Sequence, residues 1–195
     1  MALLPFTAVK CSTSGNKNEN KLTSSTSKTK NDTKTNTNSD TTLVGLTYAL
    51  CKEKFSDETI KAIAILINTD FDVKPDYFDL DNNEVFISEE NLNNSEKEYY
   101  SRIKSIVNSA DKKTLTFNNE KVFIPYSEIS CGYTLESEDF KYITSVASPW
   151  DCFSQSYDNN CECAGVSING LNYLCQSGAS AEKALKWYLP EFEIK

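Results

Sequence analysis

The sequence predicts an α+β fold, in which a small antiparallel sheet with a β-hairpin packs against helices and a disordered tether precedes the domain. Apolar residues recur at helical spacing near both ends of residues 43–195, and short strand-like runs lie between those segments. No internal repeat is present. About 150 residues are enough for one ordinary hydrophobic core, so a single folded domain is expected over 43–195.

The first 42 residues are expected to lie outside that domain. Residues 1–10 are mostly apolar but far shorter than the ~20 residues of a membrane span, and we interpret them as a remnant of a membrane anchor or as a nonfunctional tail. Residues 11–42 are rich in Ser, Thr, Asn and Lys, a composition that cannot bury enough surface to fold. This order predicts an extracytoplasmic protein, tethered to the cell membrane or associated with the cell wall.

Helices are predicted at both ends of the domain. Residues 43–51 form a short apolar helix, and Ser56 is a candidate N-cap for a second helix that continues to about Thr69. That second helix is apolar on nearly all sides, so it should be central. Helical spacing returns over residues 96–110, 166–176 and 180–189, with Gly178 between the last two.

Strands are predicted in the middle of the domain. Residues 114–117 and 121–124 flank Asn118-Asn119-Glu120, which is the pattern of a hairpin. Residues 142–146 form a further strand, whereas residues 70–94 are acidic and rich in Asn and should be mostly loop around a strand-like run at 85–87.

Charge argues against nucleic-acid binding. The net charge is −8, and Lys residues outnumber acids in residues 11–42, so the domain itself is still more acidic than the whole chain. Such a surface repels a phosphate backbone, and its cations form no obvious patch.

Five segments in order resemble the SpoIID/LytB family, which comprises stage II sporulation protein D and the amidase enhancer LytB. Residues 60–64 are similar to its Leu-Lys-Ala-Gln-Ala pattern, and residues 126–134 to its His-Ser-x-x-Gly-Gly-x-Thr turn. The other three are 142–151, which ends in Ser-Pro-Trp-Asp, 165–170, which is similar to Gly-Met-Ser-Gln-Tyr-Gly, and 185–194, which is similar to a Leu-x-x-Tyr-Tyr-Pro ending.

The resemblance implies a peptidoglycan-associated role in sporulation or envelope remodelling. Its expected partners are peptidoglycan glycan strands and proteins of a cell-wall remodelling or engulfment complex, with membrane contact through an N-terminal anchor. In the family, stage II sporulation protein D is a lytic transglycosylase, an enzyme that needs one carboxyl group of raised pKa as acid and then base.

The chain departs from the family at the residues that carry this chemistry. The catalytic Glu position is Leu50, the two His positions are Ser127 and Glu162, and the chain contains no His. We therefore expect a catalytically degenerate member that binds glycan or a partner. The alternative is an active lytic transglycosylase with Glu53, three residues after Leu50, as a relocated general acid. Because Glu53 lies between Lys52 and Lys54, it also fits an ordinary solvated acid.

Four cysteines lie near the family's turn and His positions. Some family members hold zinc near this turn, so Cys131, Cys152, Cys161 and Cys163 are candidate zinc ligands. Their spacing is equally compatible with disulfides or with buried thiols.

Trp150 and Asp151 are candidate glycan-binding residues. Trp150 would stack on a sugar ring or anchor its loop to the core, and both readings stay open. Trp187, on the apolar stripe of the last helix, is predicted to be a packing residue.

Overall fold

The structure is a computed structural model that describes residues 38–51, 55–157 and 160–195. It confirms the α+β class. Five α-helices and four two-residue strands are present in that part of the chain, listed here in order: α1 Asn38–Leu50, α2 Asp57–Val73, α3 Asn94–Ser109, β1 Leu115–Thr116, β2 Tyr126–Ser127, β3 Val166–Ser167, α4 Ile168–Gln176, α5 Ala181–Tyr188 and β4 Glu193–Ile194. Three 3-10 helices cover Pro75–Tyr77, Glu89–Asn91 and Pro149–Phe153.

Helix α2 is the centre of the domain, as predicted. It contacts α1, α3, α4 and α5, and Ile60, Ile63 and Ile67 on it are inaccessible to solvent. Ser56 is its N-cap, with its side chain accepting a hydrogen bond from the Thr59 backbone N–H at 3.2 Å. Burial on several sides accounts for its almost uninterrupted apolar sequence.

Two helices extend beyond their predicted bounds. Helix α1 begins at Asn38 rather than at residue 43. Asp40 lies in its first turn, where a negative charge interacts favourably with the helix dipole. Asp40 also forms an ion pair with Lys112 at 3.0 Å. Helix α2 continues past Thr69 to Val73, and at its end the backbone carbonyl of Asp70 accepts a hydrogen bond from the Lys74 N–H.

Strand pairing differs from the predicted hairpin. The turn forms, since Asn118 and Asn119 have positive φ and Phe117 bridges to Glu120. Its second arm, 121–124, does not pair with the first. Instead β1 pairs antiparallel with β4, and β2 pairs parallel with β3.

Two other predicted strands do not form ladders. Residues 85–87 leave a turn and have no regular structure; the Ile87 N–H donates to the Gly45 carbonyl of α1 at 3.4 Å, and Phe86 packs closely against Gly45. Residues 142–146 run beside the turn at 130–134, where the Thr134 N–H donates to the Val146 carbonyl at 2.7 Å, but the only bridge there is isolated, between Tyr133 and Ala147. Each segment makes isolated backbone hydrogen bonds to its neighbour, and sequence alternation alone does not distinguish such contacts from a strand ladder.

None of the helices within the described ranges combines the length and apolar content needed to cross a bilayer. The predicted anchor at residues 1–10 lies outside the described residues, as does the predicted tether up to residue 37.

Candidate functional site

A buried carboxylate joins three of the segments that carry the family resemblance. Asp151 has no accessible surface, and its Oδ2 accepts hydrogen bonds from the Ser130 N–H at 3.1 Å and the Ser130 hydroxyl at 2.5 Å. The Ser148 hydroxyl donates to the same oxygen at 2.9 Å, and Asn169 Nδ2 donates to Oδ1 at 2.7 Å. Four hydrogen bonds compensate the desolvation of this buried group.

A further resembling segment, 185–194, joins this cluster through Tyr188. Its hydroxyl lies 2.7 Å from Ser148 Oγ and accepts from Trp150 Nε1 at 3.1 Å. Burial raises the pKa of Tyr188, so the hydroxyl keeps its proton. We call Ser130, Ser148, Asp151, Asn169 and Tyr188 the Asp151 network.

Gly170 makes room for this network. A Cβ at residue 170 would overlap the Tyr188 hydroxyl and lie 2.6 Å from Ser148 Oγ. Gly170 stands in the first turn of α4, where the Ser167 side chain accepts its N–H as the N-cap. Glycine at position 170, in the resembling segment 165–170, is therefore required by close packing rather than by backbone conformation.

Three aromatic rings meet above the network at the surface. Trp150 stacks on Tyr173 with ring centroids 5.4 Å apart and planes 7° from parallel, and Trp187 lies 5.4 Å from Trp150 at a tilted angle. Tyr173 is 47% exposed and Trp187 is 45% exposed, whereas Trp150 is half-buried. We call Trp150, Tyr173 and Trp187 the aromatic cluster.

The structure changes the interpretation of Asp151 and Trp187. Asp151 is inaccessible, and its side chain joins Ser130, Ser148 and Asn169 within the protein instead of facing a ligand. Trp187 was predicted to be a packing residue, but 45% of it is exposed, so it packs only in part. Ala184, Leu185 and Tyr188 form the buried face of α5, and Trp187 lies beside that face with its Nε1 donating to the Ala147 carbonyl at 2.8 Å.

Trp150 anchors its loop, and its role in stacking on a sugar ring stays a prediction. Its Nε1 is tied to Tyr188, which anchors the loop, while its ring forms the middle of the exposed aromatic cluster.

A cavity of about 390 Å³ elsewhere on the surface is lined by Glu136, Ser137, Glu138, Lys141, Ile143 and Thr144. That lining contains no aromatic side chain.

The four candidate zinc ligands separate into two groups. Cys163 is buried, and its thiol hydrogen-bonds with Ser127, at the position where the family has a His. Cys152 is exposed, and Cys131 and Cys161 are half-buried. Tyr157 hydrogen-bonds with the Cys152 thiol. This bond is the main reason that the pKa of Tyr157 is raised, and the nearby Cys131 and Cys161 raise it further.

No metal site is assembled from these side chains as they stand. In residues 38–51, 55–157 and 160–195, no group of three or more Cys, Asp or Glu side chains is arranged to hold a metal ion. The six cysteines in those ranges are all present as thiols. The residues do not fit zinc in this conformation, and the zinc site stays a prediction from the resemblance.

The position of the family's catalytic acid is apolar. Leu50, the last residue of α1, is partly buried and packs against the hydrophobic core. Glu53, the proposed relocated acid, lies outside the described residues. Glu162, at the second His position, is exposed.

One buried carboxyl was not identified from the sequence. Asp70 on α2 is inaccessible, its Oδ1 accepts from the Ile124 N–H at 2.8 Å, and its Oδ2 has no hydrogen-bond partner. Burial raises the pKa of Asp70 well above its ordinary value, so the group is neutral over the acidic range. Because the Asp70 side chain has no solvent-accessible surface, a ligand cannot contact it.

Comparison with protein-family models gave no match, and comparison with curated proteins gave none. The family resemblance therefore stays a prediction from the sequence.

Sequence reasoning missed several members of the site. Ser130 and Tyr188 lie inside resembling segments but were not singled out, and Tyr173 lies outside those segments. The available signal for Tyr173 was its place on an amphipathic helix, three residues after Gly170 and away from the buried positions Leu171 and Cys175.

Proposed function

We propose that this chain is a SpoIID/LytB-like protein of the cell wall that binds peptidoglycan glycan strands without cleaving them. The supporting observation is the Asp151 network. Four segments that resemble the family are far apart in the sequence, and each contributes at least one hydrogen-bonding side chain to this single buried cluster. A scaffold shared with the family would require these segments to meet, as they do here.

The aromatic cluster is the proposed contact surface for glycan. Sugar rings present apolar C–H faces, and an aromatic ring with a fixed orientation offers a matching apolar face with little loss of side-chain entropy. Trp150 is held by Tyr188, and Trp187 by the Ala147 carbonyl. Tyr173 and Trp187 then supply the accessible area beside Trp150.

The proposed absence of cleavage is supported by the acid that this reaction needs. A lytic transglycosylase protonates the glycosidic oxygen with a carboxyl group in contact with the substrate. In this chain Leu50 occupies the family position, and Asp70, which has a raised pKa, has no accessible surface. The chain has no His to replace the carboxyl group.

The same proposal places the protein outside the cytoplasm, tethered to the membrane or associated with the wall, where it contributes to sporulation or envelope remodelling. Protein partners of a remodelling or engulfment complex would then use surface that glycan leaves open.

Cosedimentation with purified, protein-free peptidoglycan tests the binding. We expect the full chain to pellet with the wall material, and Tyr173→Ala and Trp187→Ala to weaken binding roughly tenfold each, as for exposed aromatic anchors at other interfaces. Leu80→Ala is the matched control, because Leu80 is 41% exposed but lies outside the cluster. Wild-type binding by both aromatic variants would remove the cluster from the proposal, and absence of pelleting would overturn glycan binding.

Digestion of purified glycan strands tests the absence of cleavage. We expect no 1,6-anhydromuramoyl ends after prolonged incubation. If such ends form and are lost in Glu53→Gln, the chain is an active lytic transglycosylase with a relocated acid, and the proposal is wrong.

A further inference from the structure

Two surface thiols lie on neighbouring loops that hydrogen bonds hold together. Cys131 directly follows Ser130, and Cys152 directly follows Asp151. The backbone N–H and the hydroxyl of Ser130 both donate to the Asp151 carboxylate. On the other side of Cys131, the Gly132 carbonyl accepts from the Ser148 N–H at 2.8 Å. Cys131 is thus fixed between two attachments to the segment that carries Cys152.

The Cys152 sulfur lies against the backbone beside Cys131. Its Sγ is 2.9 Å from the place that a Cβ on Gly132 would occupy, and Gly132 has φ of +100°. Only glycine combines that backbone conformation with room for the sulfur. Cys152 is exposed and Cys131 is half-buried, so a small reagent can reach the pair.

The geometry points to Cys131 and Cys152 as a thiol–disulfide exchange site whose co-reactant is a low-molecular-weight disulfide. The Cys152 thiolate attacks one sulfur of the small disulfide, which forms a mixed disulfide and releases one small thiol. The Cys131 thiolate then attacks the Cys152 sulfur and releases the second small thiol. Two protein S–H groups and one small disulfide thereby become one protein disulfide and two small thiols, and no other oxidant is needed.

Cys163 is excluded from this exchange by its surroundings. It is buried, its thiol is bonded to Ser127, and burial raises its pKa to about 12. A thiol must be deprotonated and accessible to attack a disulfide. The inference concerns cysteine chemistry alone and does not rest on glycan binding.

The new bond would join the turn at 130–134 to the 3-10 helix Pro149–Phe153, which carries Trp150. It would close a loop of the chain between residues 131 and 152, and closing such a loop restricts the unfolded state. We expect the oxidised protein to melt roughly 5–10 °C above the reduced protein.

Oxidation with glutathione disulfide tests the inference on the full chain. The reduced protein is incubated with this probe, quenched in acid and alkylated, and its peptides are mapped by mass spectrometry. Trypsin cleaves after Lys141 and separates Cys131 from Cys152, and chymotrypsin cleaves after Phe153 and separates Cys152 from Cys161. We expect two fewer alkylated thiols and one cross-linked peptide that contains Cys131 and Cys152.

Single variants separate the two steps. Cys131→Ser should stop the reaction at a glutathione adduct on Cys152, whereas Cys175→Ser, which removes a buried thiol, should form the same cross-link as wild type. Cys131→Ala serves as a second variant if the serine disturbs folding.

Three results would overturn the inference. They are full alkylation of every thiol after oxidation, a cross-link that maps to another cysteine such as Cys161, and retention of glutathione adducts in the wild type without a cross-link. A zinc ion bound by the reduced protein and lost in Cys152→Ser would also overturn it.

Discussion

The hydroxyl of Tyr188 on the last helix lies 2.7 Å from the hydroxyl of Ser148, forty positions earlier in the chain. Through this contact the C-terminal helix is joined to the Asp151 carboxylate, which Ser148 also contacts. The arrangement fixes the orientation of Trp150, whose Nε1 donates to the same tyrosine. The candidate surface site is therefore built on a buried polar network.

Gly170→Ala is expected to destabilise the domain by roughly 2–4 kcal/mol, because the new methyl group would overlap the Tyr188 hydroxyl and crowd Ser148. Urea denaturation monitored by circular dichroism measures the change. Gly178→Ala is the matched control. Residue 178 has open space around it but φ of +97°, so only conformational strain of about 1 kcal/mol is expected there. Equal losses in the two variants would contradict the steric explanation.

Asp151→Asn is expected to cost roughly 2–4 kcal/mol of folding free energy. The carboxylate accepts four hydrogen bonds, and an amide can accept at only one of its two ends, so its N–H₂ would face a donor. Denaturant titration gives the loss of stability, and near-ultraviolet circular dichroism reports the order of Trp150. An unchanged free energy of unfolding would show that the network tolerates a neutral group.

Asp70 gives the folded protein a distinctive dependence on pH. Burial raises its pKa, so between the ordinary carboxyl pKa of about 4 and the raised value the folded chain holds a proton that the unfolded chain has released. Stability contributed by this group is therefore fully present below about pH 4 and falls as pH rises through that window, by up to about 1.4 kcal/mol per unit.

Asp70→Asn should remove that decline, because asparagine stays neutral and can still accept from the Ile124 N–H. Free energies of unfolding at a series of pH values test this. Asp72→Asn is the control, since Asp72 is an exposed carboxylate paired with Lys121, and its variant should retain the Asp70 slope. Parallel pH profiles for wild type and Asp70→Asn would contradict the assignment.

The described thiols should differ widely in reactivity. Burial raises the pKa of Cys163 to about 12 and that of Cys175 to about 11, whereas Cys152 is exposed. At pH 8 the folded protein should therefore react with iodoacetamide more than about a hundredfold faster at Cys152 than at Cys163. Site-resolved mass spectrometry over time measures these rates. In denaturant the rates should converge, and equal rates in the folded state would be inconsistent with the burial of Cys163.

Helices were predicted well because their signals are local. The Ser56 cap, the apolar faces and the break at Gly178 each involve residues within a few positions, and α2, α3, α4 and α5 occur close to their predicted places. Strand partners depend on residues far away. Leu115 pairs with Ile194, and Tyr126 pairs with Val166. The residues around each strand give no indication of partners so far away in the chain.

The sequence by itself determined the α+β class, the central place of α2 and the complete lack of His, since these follow from composition and local periodicity. Tertiary structure decided which side chains are accessible. It buried Asp151, left Trp187 partly exposed beside Trp150, and separated Cys163 from the surface pair Cys131 and Cys152. Accessibility and partner choice arise from contacts between distant segments, and those contacts form only when the other helices and strands of the described domain pack around α2.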